Sequence, residues 1–184
     1  MIGKVPLDQL AKDRNLTVEW KAFELRPEGF EIPPKPPEYI ARAKAGVEML
    51  GRKYGLQMKF NDKSKHSRMA LEGAKFAEAH GLGNEYHDAV FAAQFQEQRN
   101  INDLQVLVEI AAQIGLNPDE YREAVVDRVY KEAVSREVDE AQHLNIQSVP
   151  CYIIDGRKAF GVQSYEDLVK LLEGQTPALR LSHL

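Results

Sequence analysis

The sequence of 184 residues contains a single cysteine. That excludes a disulfide within the chain, a Cys-x-x-Cys redox pair and any multi-cysteine zinc site. A run of about 18 apolar residues is also missing, so no membrane span is expected. There is no excess of positive charge: 24 Lys+Arg stand against 28 Asp+Glu, a net of −4. A dedicated nucleic-acid binder needs cations to displace counterions from phosphate, so no nucleic-acid partner is expected. The amino end, Met-Ile-Gly-Lys-Val-Pro-Leu, lacks the apolar stretch and small-residue cleavage site of a secretory signal. With one thiol, the expectation is a reducing, cytoplasmic home. Among the histidines, His66, His80 and His87 have no spacing that fixes a metal, and Gly81 and Gly83 keep the last two off a shared helix face. They read as solvated surface residues, with no metal implied.

What is present suffices for a core, with 43% hydrophobic residues. Ile2, Val5, Leu7 and Leu10 lie at helical spacing up to about Arg14, with Pro6 in the first turn, where proline is tolerated. Leu16-Thr17-Val18-Glu19-Trp20-Lys21-Ala22-Phe23 alternates apolar and charged, the pattern of a strand with one buried face. Ile32-Pro33-Pro34-Lys35-Pro36-Pro37 must run as polyproline II, and reads as a stiff connector into a new subdomain rather than an SH3-type ligand. The helical period then takes over. It predicts helices over Tyr39–Tyr54, His66–His80 and Glu85–Gln98, one capped by Asn102 with Gln105 three residues on, and a long one opened by Asn117-Pro118 and running to about His143. Tyr86, Phe91, Phe95 and Tyr121 have core spacing and need no ligand, while Arg52, Lys53, Lys59, Lys63, Lys65 and Arg68 read as a solvated basic face. Strand character returns at Val149–Ile154, turns at Asp155-Gly156 and continues through Lys158–Val162; Ser164 then caps a last amphipathic helix that stops at Gly174. Residues 177–184 read as a loose tail.

The order helix, strand, helical block, hairpin, helix does not choose a fold by itself. Residue-level likeness does. Ile146-Gln147-Ser148-Val149-Pro150-Cys151-Tyr152-Ile153-Ile154-Asp155-Gly156-Arg157-Lys158-Ala159-Phe160-Gly161-Val162-Gln163 resembles the cis-proline hairpin of the DsbA-like family, in particular its FrnE-type dithiol–disulfide oxidoreductase branch. Phe23-Glu24-Leu25-Arg26-Pro27 resembles that branch's strand-to-linker stretch, and Phe95 to Asp103 its connection between inserted helices. Ile2-Gly3-Lys4 resembles the tripeptide immediately after the family's Cys-x-x-Cys-aromatic motif.

The resemblance implies an α/β, thioredoxin-like fold with a large all-helical insertion, lacking the first central strand. Residues 1–34 and 144–176 would form the incomplete thioredoxin-like domain, and 35–143 the helical insertion. It implies thiol–disulfide exchange by a thiolate at a helix amino end, with protein or small thiol/disulfide substrates and no cofactor. The chain begins just past the motif, so no position here inherits the nucleophile, and the chain as written is expected to be inactive or impaired. A misassigned start is the favoured explanation; strands closing directly or borrowed from a second copy in a homodimer, and a poorly folded relic, are the others. Two alternatives stay open: an enzyme like 2-hydroxychromene-2-carboxylate isomerase or the kappa-class transferases, which would hold glutathione at the same loop, and a non-catalytic binding module. Val149 and Pro150 are the implied substrate-facing pair. Without the resemblance Pro150 would read as an ordinary trans proline on an edge strand; with it, as cis. Cys151 reads as a small buried hydrophobe before it reads as a reactive thiol.

Overall fold

The computed structural model describes residues 1–175; the predicted loose tail, 177–184, lies outside them. The chain divides into two units, residues 1–23 with those from 141 onward, and residues 24–140. The first boundary falls at Phe23/Glu24, ahead of the proline run.

In the first unit, α1 (Lys4–Arg14) ends at Asn15, whose left-handed φ of 52° turns the chain out of the helix. Lys12 and Arg14 sit in its last turn, where the helix dipole favours cations. The other end of the chain supplies a hairpin, β1 (Cys151–Ile154) and β2 (Arg157–Phe160), paired Cys151–Phe160 through Ile154–Arg157. Asp155 and Gly156 both take positive φ, 47° and 77°, the conformation a two-residue hairpin loop requires. The last helix, α8 (Tyr165–Leu172), is capped as its sequence predicts: Ser164 Oγ accepts from Asp167 N–H at 3.2 Å and donates to the Asp167 carboxylate at 3.0 Å. α8 packs on α1 and β2, burying Leu10, Tyr152, Ala159, Leu168 and Leu171 in one cluster. Each buried leucine contributes about 2 kcal/mol from its apolar area.

The predicted strand Leu16–Phe23 is corrected. Its alternation survives from Val18 on: Leu16 is exposed, but Val18 and Trp20 are half-buried and Ala22 buried, and the pattern continues to buried Glu24. The segment nevertheless joins no ladder, since the sheet among the described residues has two strands, β1 and β2. Alternation specifies a one-sided extended segment; a strand needs, in addition, a neighbour in register.

The second unit is helical: α2 (Pro37–Lys53), α3 (Arg68–Ala79), α4 (Gly83–Phe95), α5 (Leu104–Gln113), α6 (Pro118–Val126) and α7 (Lys131–His143), whose last residues cross into the first unit. α3 is its centre, with α4, α5 and α6 against it. Small residues make the approach close. A β-carbon on Gly73 would press into both the Tyr86 and Tyr121 hydroxyls, which bond each other at 2.5 Å over that position. Phe76 stacks on His80 with centroids 4.1 Å apart and meets Tyr121 edge-on at 5.6 Å.

Three further expectations are revised here. The predicted helix from Pro118 to His143 is two helices. Arg128 adopts φ 54°, and Val129 N–H and Arg128 N–H close back on the carbonyls of Ala124 and Val125, the pattern of a left-handed helix stop. The break turns the Arg128 guanidinium onto Glu72, 2% exposed, with Nη2–Oε1 at 2.6 Å and Nε–Oε2 at 3.3 Å, and onto Glu28 at 2.8 Å. Asn102 is not the cap of α5. Asp103 is, accepting from Gln105 N–H at 2.9 Å, while Asn102 accepts from Lys65 N–H and His66 N–H and donates to His66 O, fastening the irregular segment before α3. Arg68 leaves the basic face: its side chain is mostly buried against Glu24, with Nη2–Oε2 at 2.8 Å, and donates to Ser135.

Candidate functional site

Of the residues singled out by sequence, Pro150 lies against the amino end of α1. The Val149–Pro150 peptide bond is cis. Pro150 O accepts from Gly161 N–H at 2.9 Å, which extends the hairpin by one rung. Two residues on, Tyr152 is buried, and its hydroxyl donates to Gly3 O at 2.8 Å. Gly3 is the N-cap position of α1 and supplies no side-chain cap. A β-carbon there would collide with the Tyr152 hydroxyl and lie 2.9 Å from Pro150 Cγ. The lack of a side chain at residue 3 is therefore what lets the helix end touch the proline ring. Val149 is 46% exposed.

Cys151 is half-buried and unbridged, opposite Phe160 in the hairpin. Burial pushes its thiol above the ordinary value, against the opposing pull of the Lys158 ammonium.

The other candidates lie elsewhere in the chain. His80 Nδ1 sits 2.8 Å from Phe76 O, in its own helical turn. His87 is not solvated as expected. Its side chain is 16% exposed, with Nε2 3.6 Å from Glu78 Oε1. Burial raises the Glu78 carboxyl, but hydrogen bonds and charge from His87 and Lys75 outweigh it and leave the net shift downward. Among the described residues no group of three or more His, Cys, Asp or Glu is placed to hold a metal, and no helix is long and apolar enough to cross a membrane. Two open cavities of about 350 and 430 Å³ lie in the helical unit, and neither is lined by Val149, Pro150 or Cys151. The site is thus a cis-proline turn whose ring lies against a helix amino end, with Val149 exposed beside it.

Residues 1–173 match the family described as DSBA-like thioredoxin domain. The chain belongs to the DsbA-like thioredoxin family. Among curated relatives it is 30% identical over 158 residues to the uncharacterised protein YwbO of Bacillus subtilis, covering 83% of this chain and 79% of that one. Among solved structures it is similar to a probable DsbA oxidoreductase from Streptomyces coelicolor, with a TM-score of 0.80, 24% identity, and coverage of 98% of this chain and 87% of that one. It is also similar to a 2-hydroxychromene-2-carboxylate isomerase, with a TM-score of 0.70, 16% identity, and coverage of 94% and 86%. Both likenesses are of fold, a DsbA-like thioredoxin fold carrying a helical insertion. Gly3 and Tyr152 had drawn no role from the sequence. The signal that could have found them was Gly3 within Ile2-Gly3-Lys4, a place where close approach excludes a side chain.

Proposed function

We propose that this DsbA-like chain docks an extended thiol or disulfide substrate along Val149–Pro150, as the FrnE-type dithiol–disulfide oxidoreductases it resembles are expected to do. The observation carrying this reading is the contact between Gly3, at the amino end of α1, and the Pro150 ring. A helix amino end offers N–H groups and a positive dipole to a sulfur anion, and the neighbouring Val149 offers backbone to a peptide.

Turnover is a separate matter. A thiolate that attacks a disulfide forms one S–S bond and expels one thiolate; releasing the product takes a second thiol that attacks the mixed disulfide. The chain has one cysteine, and burial raises the Cys151 thiol above its ordinary value. These 184 residues therefore dock without completing a dithiol cycle, and a second thiol must come from outside them.

The test has two arms. Insulin reduction with the purified chain should match the protein-free control, with Cys151→Ser indistinguishable from it; catalysis at family-like rates overturns the claim of no turnover. Titration with an extended disulfide peptide, and separately with glutathione, should perturb NMR resonances of Val149, Cys151, Gly161 and Gly3. Silence at Val149 with both ligands overturns the docking site. Response to glutathione alone favours the isomerase-like alternative.

A further inference from the structure

Pro150 and Gly161 form the rung beyond the Cys151–Phe160 pair, and Gly161 N–H donates to Pro150 O at 2.9 Å. An antiparallel rung of this kind normally carries two hydrogen bonds, one in each direction. Pro150 has no N–H to return, so the ladder leaves the Gly161 carbonyl without a donor. Gln163 supplies one. Its Nε2 lies 3.3 Å from Gly161 O and 2.7 Å from Phe160 O. The side chain belongs to a residue 2% exposed, set directly before the Ser164 cap of α8. Its Oε1 has no hydrogen-bond partner. A residue present only to fill space would be better served by an apolar side chain, which leaves no bare buried acceptor. The amide is retained where its protons are needed, on the two carbonyls at the end of β2.

We propose that Gln163 is the positioning residue of the Val149–Pro150 loop: it replaces the donor that proline lacks and so holds the substrate-facing rung closed. This rests on the docking role proposed above. In this role Gln163 acts through Gly161 and Pro150.

Amide hydrogen exchange in the free protein tests it, with Leu171 in α8 as the internal control. In Gln163→Leu, which keeps the bulk and loses the donor, Gly161 should exchange at least about tenfold faster while Leu171 keeps its protection. In Gln163→Glu, Gly161 should stay protected while the carboxyl is protonated and able to donate, and lose protection once it ionises, a pH step the wild type lacks. Unchanged Gly161 exchange in the Leu variant, or parallel acceleration of Gly161 and Leu171 in both variants, overturns the proposal. The two readings fail separately. If ligands perturb Val149 normally in Gln163→Leu with Gly161 still protected, the positioning role falls and docking stands. If Gly161 opens in the variant but no ligand ever perturbs the wild type, docking falls and Gln163 remains the support of the rung.

Discussion

Placing a methyl group at residue 3 should be costly, and by an amount the structure sets. Gly3 has φ −68° and ψ −13°, an ordinary conformation for alanine, so Gly3→Ala strains no backbone. The cost is steric. The new carbon would lie 2.9 Å from Pro150 Cγ and 3.3 Å from its Cβ, and would also strike the Tyr152 hydroxyl. Overpacking of this kind costs about 1–3 kcal/mol. Displacing the hydroxyl also breaks the 2.8 Å bond to Gly3 O, worth about 1 kcal/mol. The total is about 2–4 kcal/mol, a large share of the roughly 5–15 kcal/mol typical of a whole domain. Tyr152→Phe alone should cost about 1–2 kcal/mol, because it leaves the Gly3 carbonyl buried and unpaired. Combined, the substitutions count the lost hydrogen bond once and remove the clash with oxygen. The double variant should therefore fall short of the sum by about 1–2 kcal/mol. Urea unfolding midpoints at constant slope measure all four corners of the cycle. A Gly3→Ala protein within about 0.5 kcal/mol of wild type, or strict additivity of the pair, refutes the contact between the helix end and the proline loop.

Three other predictions concern charge. Arg128→Ala strands the Glu72 carboxylate, 2% exposed, and should destabilise by about 3–5 kcal/mol; adding Glu72→Gln should recover part of this, and calorimetric loss under about 1 kcal/mol for the single change contradicts the pairing. The Cys151 thiol, raised by burial against the pull of Lys158, contributes stability that is present below its unfolded-state value and lost as pH rises through the folded one. Its alkylation profile should accordingly be displaced to alkaline pH relative to a free cysteine peptide, and an inflection at or below the peptide's rules that out. Glu78 titrates the opposite way. Burial raises it, but His87 and Lys75 depress it overall, so its stabilisation holds above the unfolded carboxylate value and fades as pH falls through the lowered one. Acid unfolding of His87→Ala, followed by far-UV circular dichroism, should begin at higher pH; an unmoved midpoint denies the pair.

What the sequence makes legible divides along a physical line. Asp155-Gly156 and Ser164 act within three or four residues of themselves, so the hairpin and the α8 cap could be read directly. The break at Arg128 could not. An arginine carries no local preference for positive φ, and the reason for it sits at Glu72 and Glu28, 56 and 100 residues away. Asn102 and Asp103 are both good caps by type, and the choice between them is made by Lys65 and His66 from another segment. Val18 to Glu24 shows its buried parity correctly but not that it joins no ladder among the described residues, because pairing depends on a second segment. At the candidate site, Val149 and Pro150 were found through the family likeness and not through spacing. The neighbours that fix them, Gly3 and Gln163, carry no chemistry of their own that a scan for nucleophiles or ligands would register.

The tyrosine pair over Gly73 has a practical consequence. Burial, the dominant cause, lifts both Tyr86 and Tyr121 phenols above their ordinary range, so their phenolate absorbance should appear at more alkaline pH in the folded helical unit than after it opens. The sole tryptophan, Trp20, belongs to the other unit. Trp20 thus reports on the first unit alone, and the two most strongly shifted phenols report on the helical one. Ultraviolet difference spectra and indole emission, recorded side by side, tell whether the two halves melt together or in turn.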